Sequence, residues 1–360
     1  ITSSEFGASR PLCPSRETIM YRFCALIAKP SHRTHYTSLI EHASLALRKK
    51  GYNCVFRTPY AEIFASIPPS SPLKIYPIEP EYGVILGTIF SRSQSGDINK
   101  INNIPELATS STFSNIILSN YWGRYIAFFL THDGVSVLRD PTGGLPCYYY
   151  EHDTAHCFFS DALDFTTLNL MPISIDWQYV AGHLINPAAS LKGSGLAGVR
   201  QIAPGSQYHI GPNEIAYYKV WNEEKIALSS PIQSVDDAAT LLRDAVLYSV
   251  QSWGQAYRRF LLMLSGGLDS SIIIGSLKGA VETDNVFCIN YHSGTADSDE
   301  RYYAKLAADD FGAELIEVNE TPDNITINDL EEFRFSAEPV MILDALMRSR
   351  VRSEISAQHN

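Results

Sequence analysis

Leu261 to Ser271 reads Leu-Leu-Met-Leu-Ser-Gly-Gly-Leu-Asp-Ser-Ser, an apolar run of strand length that enters a glycine pair and leaves through hydroxyl and carboxylate side chains. The run from Phe260 to Leu264 predicts a short buried strand ending at Ser265. Gly266 and Gly267 permit backbone angles and close approaches that a side chain would forbid, so their amide hydrogens can turn toward an anion. A helix starting near Asp269 and carrying Ile272, Ile273, Ile274 and Leu277 adds its positive N-terminal end. Ser265, Ser270 and Ser271 bring hydroxyl donors, with Leu264 and Leu268 inside the same binding segment. Asp269 is a hard oxygen ligand beside phosphate oxygens, suited to holding magnesium rather than touching phosphate itself. The Gly-Lys-Ser/Thr ending of a Walker A loop is absent. The stretch reads as a cradle for pyrophosphate or a nucleoside triphosphate; a strand, glycine turn and helix without any ligand is the plain structural alternative.

The whole chain sets bounds on that reading. Its 360 residues are long for one core and suit two domains. A net charge of -11, with no basic face, argues against a nucleic-acid partner. Cys13, Cys24, Cys54, Cys147, Cys157 and Cys288 show no CxxC spacing, so neither a zinc site nor a disulfide framework is expected. Residues 1 to 16 have no apolar signal core, and no run of membrane length occurs, which makes a cytoplasmic enzyme without a membrane partner the default expectation.

Residues 1–19 read as a flexible extension or cloning remnant ahead of Met20. Short apolar segments follow: Tyr21 to Ile27, Gly83 to Phe90, Tyr125 to Thr131, Val135 to Leu138, Cys147 to Tyr150 and His156 to Ser160. Asp133-Gly134 and Asp153-Thr154 suggest hairpin turns between them. Tyr36 to Lys50 has helical spacing and stops at Gly51, so residues 20–218 read as a layered α+β domain. A linker over 219–233 precedes a helix capped by Ser234, with Ala238, Leu241, Leu242, Ala245 and Val250 on a stripe ending at Gly254. Within the second domain, 234–360, strands at Val286 to Tyr291 and Leu315 to Val318 alternate with a helix from Asp299 to Phe311. That alternation predicts a parallel, doubly wound sheet with its ligand site at the carboxyl ends of the strands. Asn290, Tyr291 and His292 stand at one such end, as clamps for adenine and ribose or as loop residues only. Asp297 or Ser298 caps the next helix, or serves catalysis, and Leu343 to Ile355 reads as helix.

Ser-Gly-Gly-Leu-Asp-Ser-Ser at 265–271 resembles the pyrophosphatase loop of asparagine-synthetase-like enzymes, which make an acyl-adenylate from a carboxylate and pass it to an amine. The resemblance extends to Arg139-Asp140-Pro141-Thr142-Gly143-Gly144-Leu145-Pro146-Cys147-Tyr148-Tyr149, to Ser160-Asp161 and to Gly198 through Gly205, similar to segments of that family's amidotransferase domain. It also covers Ser298-Asp299-Glu300 with Tyr303-Ala304, and Ala337-Glu338-Pro339, where Glu338 faces substrate or organises a loop. The resemblance implies an N-terminal Ntn-hydrolase-like αββα sandwich followed by a PP-loop ATP-pyrophosphatase domain, with ATP and magnesium as cofactors and with Asp269 and Glu338 as catalytic residues. Two departures stand out. Family glutaminases begin Met-Cys, and here Tyr21 follows Met20. Leu86-Gly87-Thr88 replaces the family's Asn-Gly-Glu, so the glutaminase is expected to be inactive, with Cys24 a packed core thiol. Relatives continue into a second loop, Ser-Gly-x-Gly-x-Asp, absent before Asn360, which suggests a fragment or one cooperating part.

An inactive amidotransferase half implies that the substrate brings its own amine. Trp122 through Phe128 and Asp140 through Gly143 look more like lasso-peptide cyclases than β-lactam synthetases. A cyclase implies a precursor peptide as substrate, with a leader peptidase and a leader-recognition protein as partners. The alternatives are a small-molecule amide ligase of the β-lactam or asparagine synthetase kind, and a non-catalytic scaffold that binds nucleotide and peptide.

Overall fold

The computed structural model describes residues 21–29, 33–69, 71–92, 98, 100–101, 109–186, 193–212, 214–229, 231–232, 234–292, 299–319 and 336–339. The chain divides into two compact units, 1–221 and 222–360. The expectations for residues 1–19, for Asp297 and Ser298, and for a helix from Leu343 to Ile355 fall outside the described residues.

Unit 1 runs β1 (Arg22–Ala28), α1 (Arg33–Lys49), β2 (Asn53–Thr58), β3 (Ala61–Ser66), β4 (Lys74–Ile78), β5 (Gly83–Ser91), α2 (Ser110–Asn120), β6 (Tyr121–Thr131), β7 (Gly134–Arg139), β8 (Tyr148–Glu151) and β9 (Ala155–Phe159). It continues through α3 (Ala162–Thr166), α4 (Trp177–Ile185), β10 (Val199–Gln201), β11 (Ser206–Ile210) and β12 (Ile215–Lys219). The strands form two antiparallel sheets, in the orders β10-β8-β9-β1-β3-β2 and β12-β11-β7-β6-β5-β4. Period-two alternation assigns their faces. Phe23, Ala25 and Ile27 of β1 join Val84, Leu86, Ile126 and Phe128 in a core between the sheets. Cys24 and Leu26 fall on the opposite face, where Tyr36 of α1 donates its hydroxyl to Leu26 O at 2.7 Å. On the far side of the second sheet, Phe113 of α2 stacks on Phe129 and shares a core with Tyr125, Ala127 and Leu138. Four layers result: helix, sheet, sheet, helix. The hairpin expected at Asp133-Gly134 turns at His132 and Asp133, between β6 and β7.

One buried ion cluster fastens the start of β1. Asp164 of α3 accepts from Arg22 at 2.6 Å, from the Tyr52 hydroxyl at 2.8 Å and from Lys50 at 3.1 Å. Burial pushes the Asp164 carboxyl up, but the Tyr52 hydroxyl, Arg22 and Lys50 outweigh it and hold the group below the usual carboxylate range. A depressed carboxyl contributes stability above its unfolded pKa of about 4 and loses it as pH falls through the folded value. Asp164→Asn should therefore destabilise unit 1 by about 3–5 kcal/mol at pH 7, by removing the counter-charge of the buried Arg22 guanidinium. Urea titrations should show that deficit shrinking below about pH 4. A deficit independent of pH would contradict the assignment.

Unit 2 runs α5 (Glu223–Ser229), α6 (Val235–Ala256), β13 (Phe260–Met263), α7 (Leu268–Leu277), β14 (Val286–His292), α8 (Arg301–Phe311) and β15 (Glu314–Asn319). The three strands are parallel in the order β13-β14-β15. Leu264, Ile274, Leu277, Val286, Cys288, Ala304, Ala308 and Phe311 form the core. The order is sequential, so the reversal that defines a doubly wound sheet is not met among the described residues. Ser234 caps α6 through Asp237 N, as expected. Gly254, however, does not end the helix: it is buried, and a Cβ there would lie 2.8 Å from Leu277 Cδ2, so its role is close packing of α6 on α7. Leu241 and Leu242 of the expected stripe are exposed. No helix among the described residues is long and apolar enough to cross a membrane.

Candidate functional site

The loop after β13 is shaped by backbone geometry and by its own hydroxyls. Leu264 is fully buried and extends the parallel ladder, its N–H donating to Ile289 O at 2.8 Å. Gly266 then adopts φ 90°, and a Cβ on it would lie 2.6 Å from Glu300 O and 2.7 Å from Ala304 N. The loop thus rests on the first turn of α8, an approach only glycine allows. The Gly267 N–H donates to Ser265 Oγ at 3.2 Å, and Ser265 Oγ lies 3.1 Å from Ser270 Oγ. Ser270 and Ser271 both donate their hydroxyls to Gly267 O, at 3.2 and 2.8 Å.

The sequence reading has these serines donate to an anion; in the structure the Ser270 and Ser271 hydroxyls bond Gly267 O, and Ser265 Oγ accepts the Gly267 N–H. The donors turned outward are then the amides of Leu268, Asp269 and Ser270, because Gly267 at the N-cap of α7 supplies no side-chain acceptor. Helix α7 begins at Leu268 rather than Asp269. Leu268 and Asp269 are exposed, with Asp269 in the first turn. The exposed carboxylate beside uncapped helix amides fits a magnesium–phosphate ligand, since magnesium takes one or two carboxylates and fills its remaining positions with phosphate oxygens and water. No group of three His, Cys, Asp or Glu side chains among the described residues could hold a metal by itself.

Asn290, Tyr291 and His292 end β14 beside the loop, and Asn290 is bonded to it: its Nδ2 donates to Leu264 O at 2.8 Å and to Ser265 O at 3.4 Å. Glu338 is half-buried in the short stretch 336–339, its amide donating to Ser336 Oγ at 3.2 Å. Sequence reasoning singled out Ser298-Asp299-Glu300 but not its place against the loop's other side. Asp299 receives Arg301 at 2.6 Å, and these bonds hold its carboxyl down at about 2. Arg301 also reaches Glu317 at 3.5 Å. The Asp-x-Arg spacing was the available signal, but nothing in it announces that α8 abuts Gly266.

In unit 1 the signature segments are structural. The Asp140 carboxylate, fully buried, accepts from the amides of Tyr125, Thr142 and Gly143 and from the Thr142 hydroxyl, while Arg139 donates to Ile202 O and to Gly143 O. Ser160 Oγ accepts from Phe23 N at 2.8 Å, and Asp161 caps α3. Thr88 Oγ1 donates to Pro72 O at 3.2 Å. The Tyr21 hydroxyl is buried and, like the Cys24 thiol, is pushed up by burial. An unionised thiol packed under α1 is no nucleophile.

Comparison with known proteins adds the following. Residues 241–358 match the asparagine synthase family. The chain is 28% identical over 203 residues to the microcin J25-processing protein McjC of Escherichia coli, an alignment covering 54% of this chain and 35% of that protein. It is 28% identical over 95 residues to the NH(3)-dependent NAD(+) synthetase of Rhizobium meliloti (strain 1021), covering 26% of this chain and 28% of that one. The chain thus spans about a third of the length of the curated relatives it matches. Among solved structures, glutamine phosphoribosylpyrophosphate amidotransferase from B. subtilis aligns over 89% of this chain and 71% of that chain, at 10% identity and a TM-score of 0.34.

Proposed function

We propose that this chain, asparagine-synthetase-like through residues 241–358, is an ATP-dependent amide ligase that joins a peptide's side-chain carboxylate to the same peptide's N-terminal amine. The observation that carries the reading is the loop 264–271, whose outward amides at the uncapped start of α7 stand next to Asp269. The β- and γ-phosphates of ATP bind at the amides of Leu268, Asp269 and Ser270. Asp269 would hold a magnesium ion, which would neutralise charge on the phosphate oxygens. The substrate carboxylate attacks the α-phosphorus, pyrophosphate leaves into the loop, and the freed amine displaces AMP from the acyl-adenylate, closing an isopeptide ring with net loss of one water from the peptide. Positioning and electrostatic stabilisation dominate, as in other phosphoryl displacements. Glu338 is proposed to face the substrate.

Unit 1 supports the self-supplied amine. It is read as an Ntn-hydrolase-like sandwich without a nucleophile, its Tyr21 phenol and Cys24 thiol both buried and neutral. The chain is accordingly expected to release no glutamate from glutamine. In the folded protein Cys24 should resist iodoacetamide while Cys54, half-exposed, reacts ahead of the other described cysteines, as read by peptide mass spectrometry. Alkylation of Cys24 at the rate of Cys54 would refute its burial.

The likeness to McjC, a microcin-processing protein, favours a precursor peptide as substrate; a leader peptidase and a leader-recognition protein are the partners such a substrate would imply. The likeness to NAD(+) synthetase favours the alternative of a small-molecule acceptor. Incubating the chain with ATP, magnesium and a leader-cleaved peptide separates them. AMP together with a peptide lighter by one water supports the cyclase; AMP alone directs the search to another acceptor, and no AMP defeats the ligase reading.

A further inference from the structure

We propose that Asn290 is a positioning residue: it sets the orientation of the phosphate-binding loop and does not contact the adenine or ribose. The inference rests on the phosphate-loop reading given above. It starts where the ladder stops. Strands β13 and β14 pair in register up to Met263 opposite Ile289, and Leu264 N–H adds the last backbone bond, to Ile289 O. From there the chain turns away into the glycines, and the carbonyls of Leu264 and Ser265 leave the ladder.

The Asn290 side chain takes over. The residue is 3% exposed, and its amide nitrogen donates to both carbonyls, at 2.8 Å to Leu264 O and 3.4 Å to Ser265 O. A buried amide with two hydrogens, facing two successive carbonyls, acts as one more rung of the ladder. In a planar trans peptide the C=O and the following N–H point in opposite directions. Drawing Leu264 O and Ser265 O toward β14 therefore turns the N–H groups of Ser265 and Gly266 away from β14. On its other flank the loop is held by the contact of Gly266 with Glu300 and Ala304. Between these two supports the loop cannot roll about its own axis without breaking one of them. A donor committed to the loop carbonyls is also not available to a purine ring.

Inorganic pyrophosphate separates the two roles, because it has phosphates and no base. Binding of magnesium pyrophosphate, ATP and ITP to the full chain is measured by calorimetry for the wild type, for Asn290→Asp, which keeps the shape but has no hydrogens to donate, and for Asn290→Ala, which adds no charge. The expectation is that all three ligands weaken together by about tenfold in both variants, the loss of one to two hydrogen bonds. Hydrogen exchange over residues 264–271 should accelerate in the unliganded variants. Unchanged pyrophosphate affinity overturns the inference, whether ATP weakens, which would make Asn290 a base contact, or only the melting temperature falls, which would make it structural. A wild type that binds neither pyrophosphate nor ATP removes the phosphate-loop reading itself, and this inference with it.

Discussion

Gly266→Ala is expected to lower ATP-dependent pyrophosphate release by about a hundredfold or more, the scale on which a displacement near 1 Å disables a positioned site. Two independent penalties meet at this residue. Its φ of 90° lies in the region an L side chain rarely adopts, at a cost of about 1–2 kcal/mol. In addition, the new methyl would sit 2.6 Å from Glu300 O and 2.7 Å from Ala304 N, both backbone atoms of the α8 start that cannot rotate away. Relief requires the loop and α8 to separate, which moves the amides proposed to receive phosphate. The neighbouring glycine is the internal control: among the described residues a Cβ on Gly267 meets only Ser265 Oγ, at 3.4 Å, and its φ is -73°. Gly267→Ala should retain most of the turnover. Equal losses at the two positions would show that the loop does not rest on α8 as described.

Asp269→Asn should be nearly as damaging to turnover and nearly silent in stability. The side chain is exposed in the first turn of α7, so neutralising it costs the fold only its interaction with the helix dipole, about 0.3–1 kcal/mol. On the proposed reading it removes the one carboxylate on the loop, which would hold magnesium against the phosphate oxygens, a contribution of several kcal/mol. We expect pyrophosphate release to fall by about a hundredfold at limiting magnesium and to recover partly as magnesium is raised, with an unchanged melting curve. Turnover equal to wild type at every magnesium concentration would take Asp269 out of the site.

The strand, the glycine turn and the following helix were legible because their determinants are local: an apolar run, two glycines, then apolar residues at helical spacing. Elements whose burial depends on distant partners were not. Strand β11 reads Ser-Gln-Tyr-His-Ile, a polar string, yet all five residues are buried. Gln207 is bonded to Ser110, Ser114 and Ser136, His209 Nδ1 lies 2.9 Å from Ser136 Oγ, and Ser206 meets the Tyr217 hydroxyl. Hydropathy registers the polar groups but not the partners that satisfy them. Helix α2 was missed for the same reason, its serines facing that network. Strands β2 and β4 are sheet edges with weak alternation, which carries little signal. At the site, the sequence supplied the residues but not the bonds their hydroxyls make with one another and with Gly267 O, because those depend on the path of one turn.

The sheet orders of unit 1 also fix a sequence of events during synthesis. Strands β5, β6 and β7 pair as neighbours, β6 and β7 across a tight turn, so they can associate as soon as they emerge, with little loop entropy to overcome. Strand β1 sits between β3 and β9, and its Arg22 waits for Asp164, 142 residues later. A nascent chain shorter than that holds β1 with one edge open and the interior residues Phe23, Ala25 and Ile27 still awaiting part of their cover. Strand β1 is thus made well before β9 can cover its second edge, and until then that edge is open to pairing with other chains.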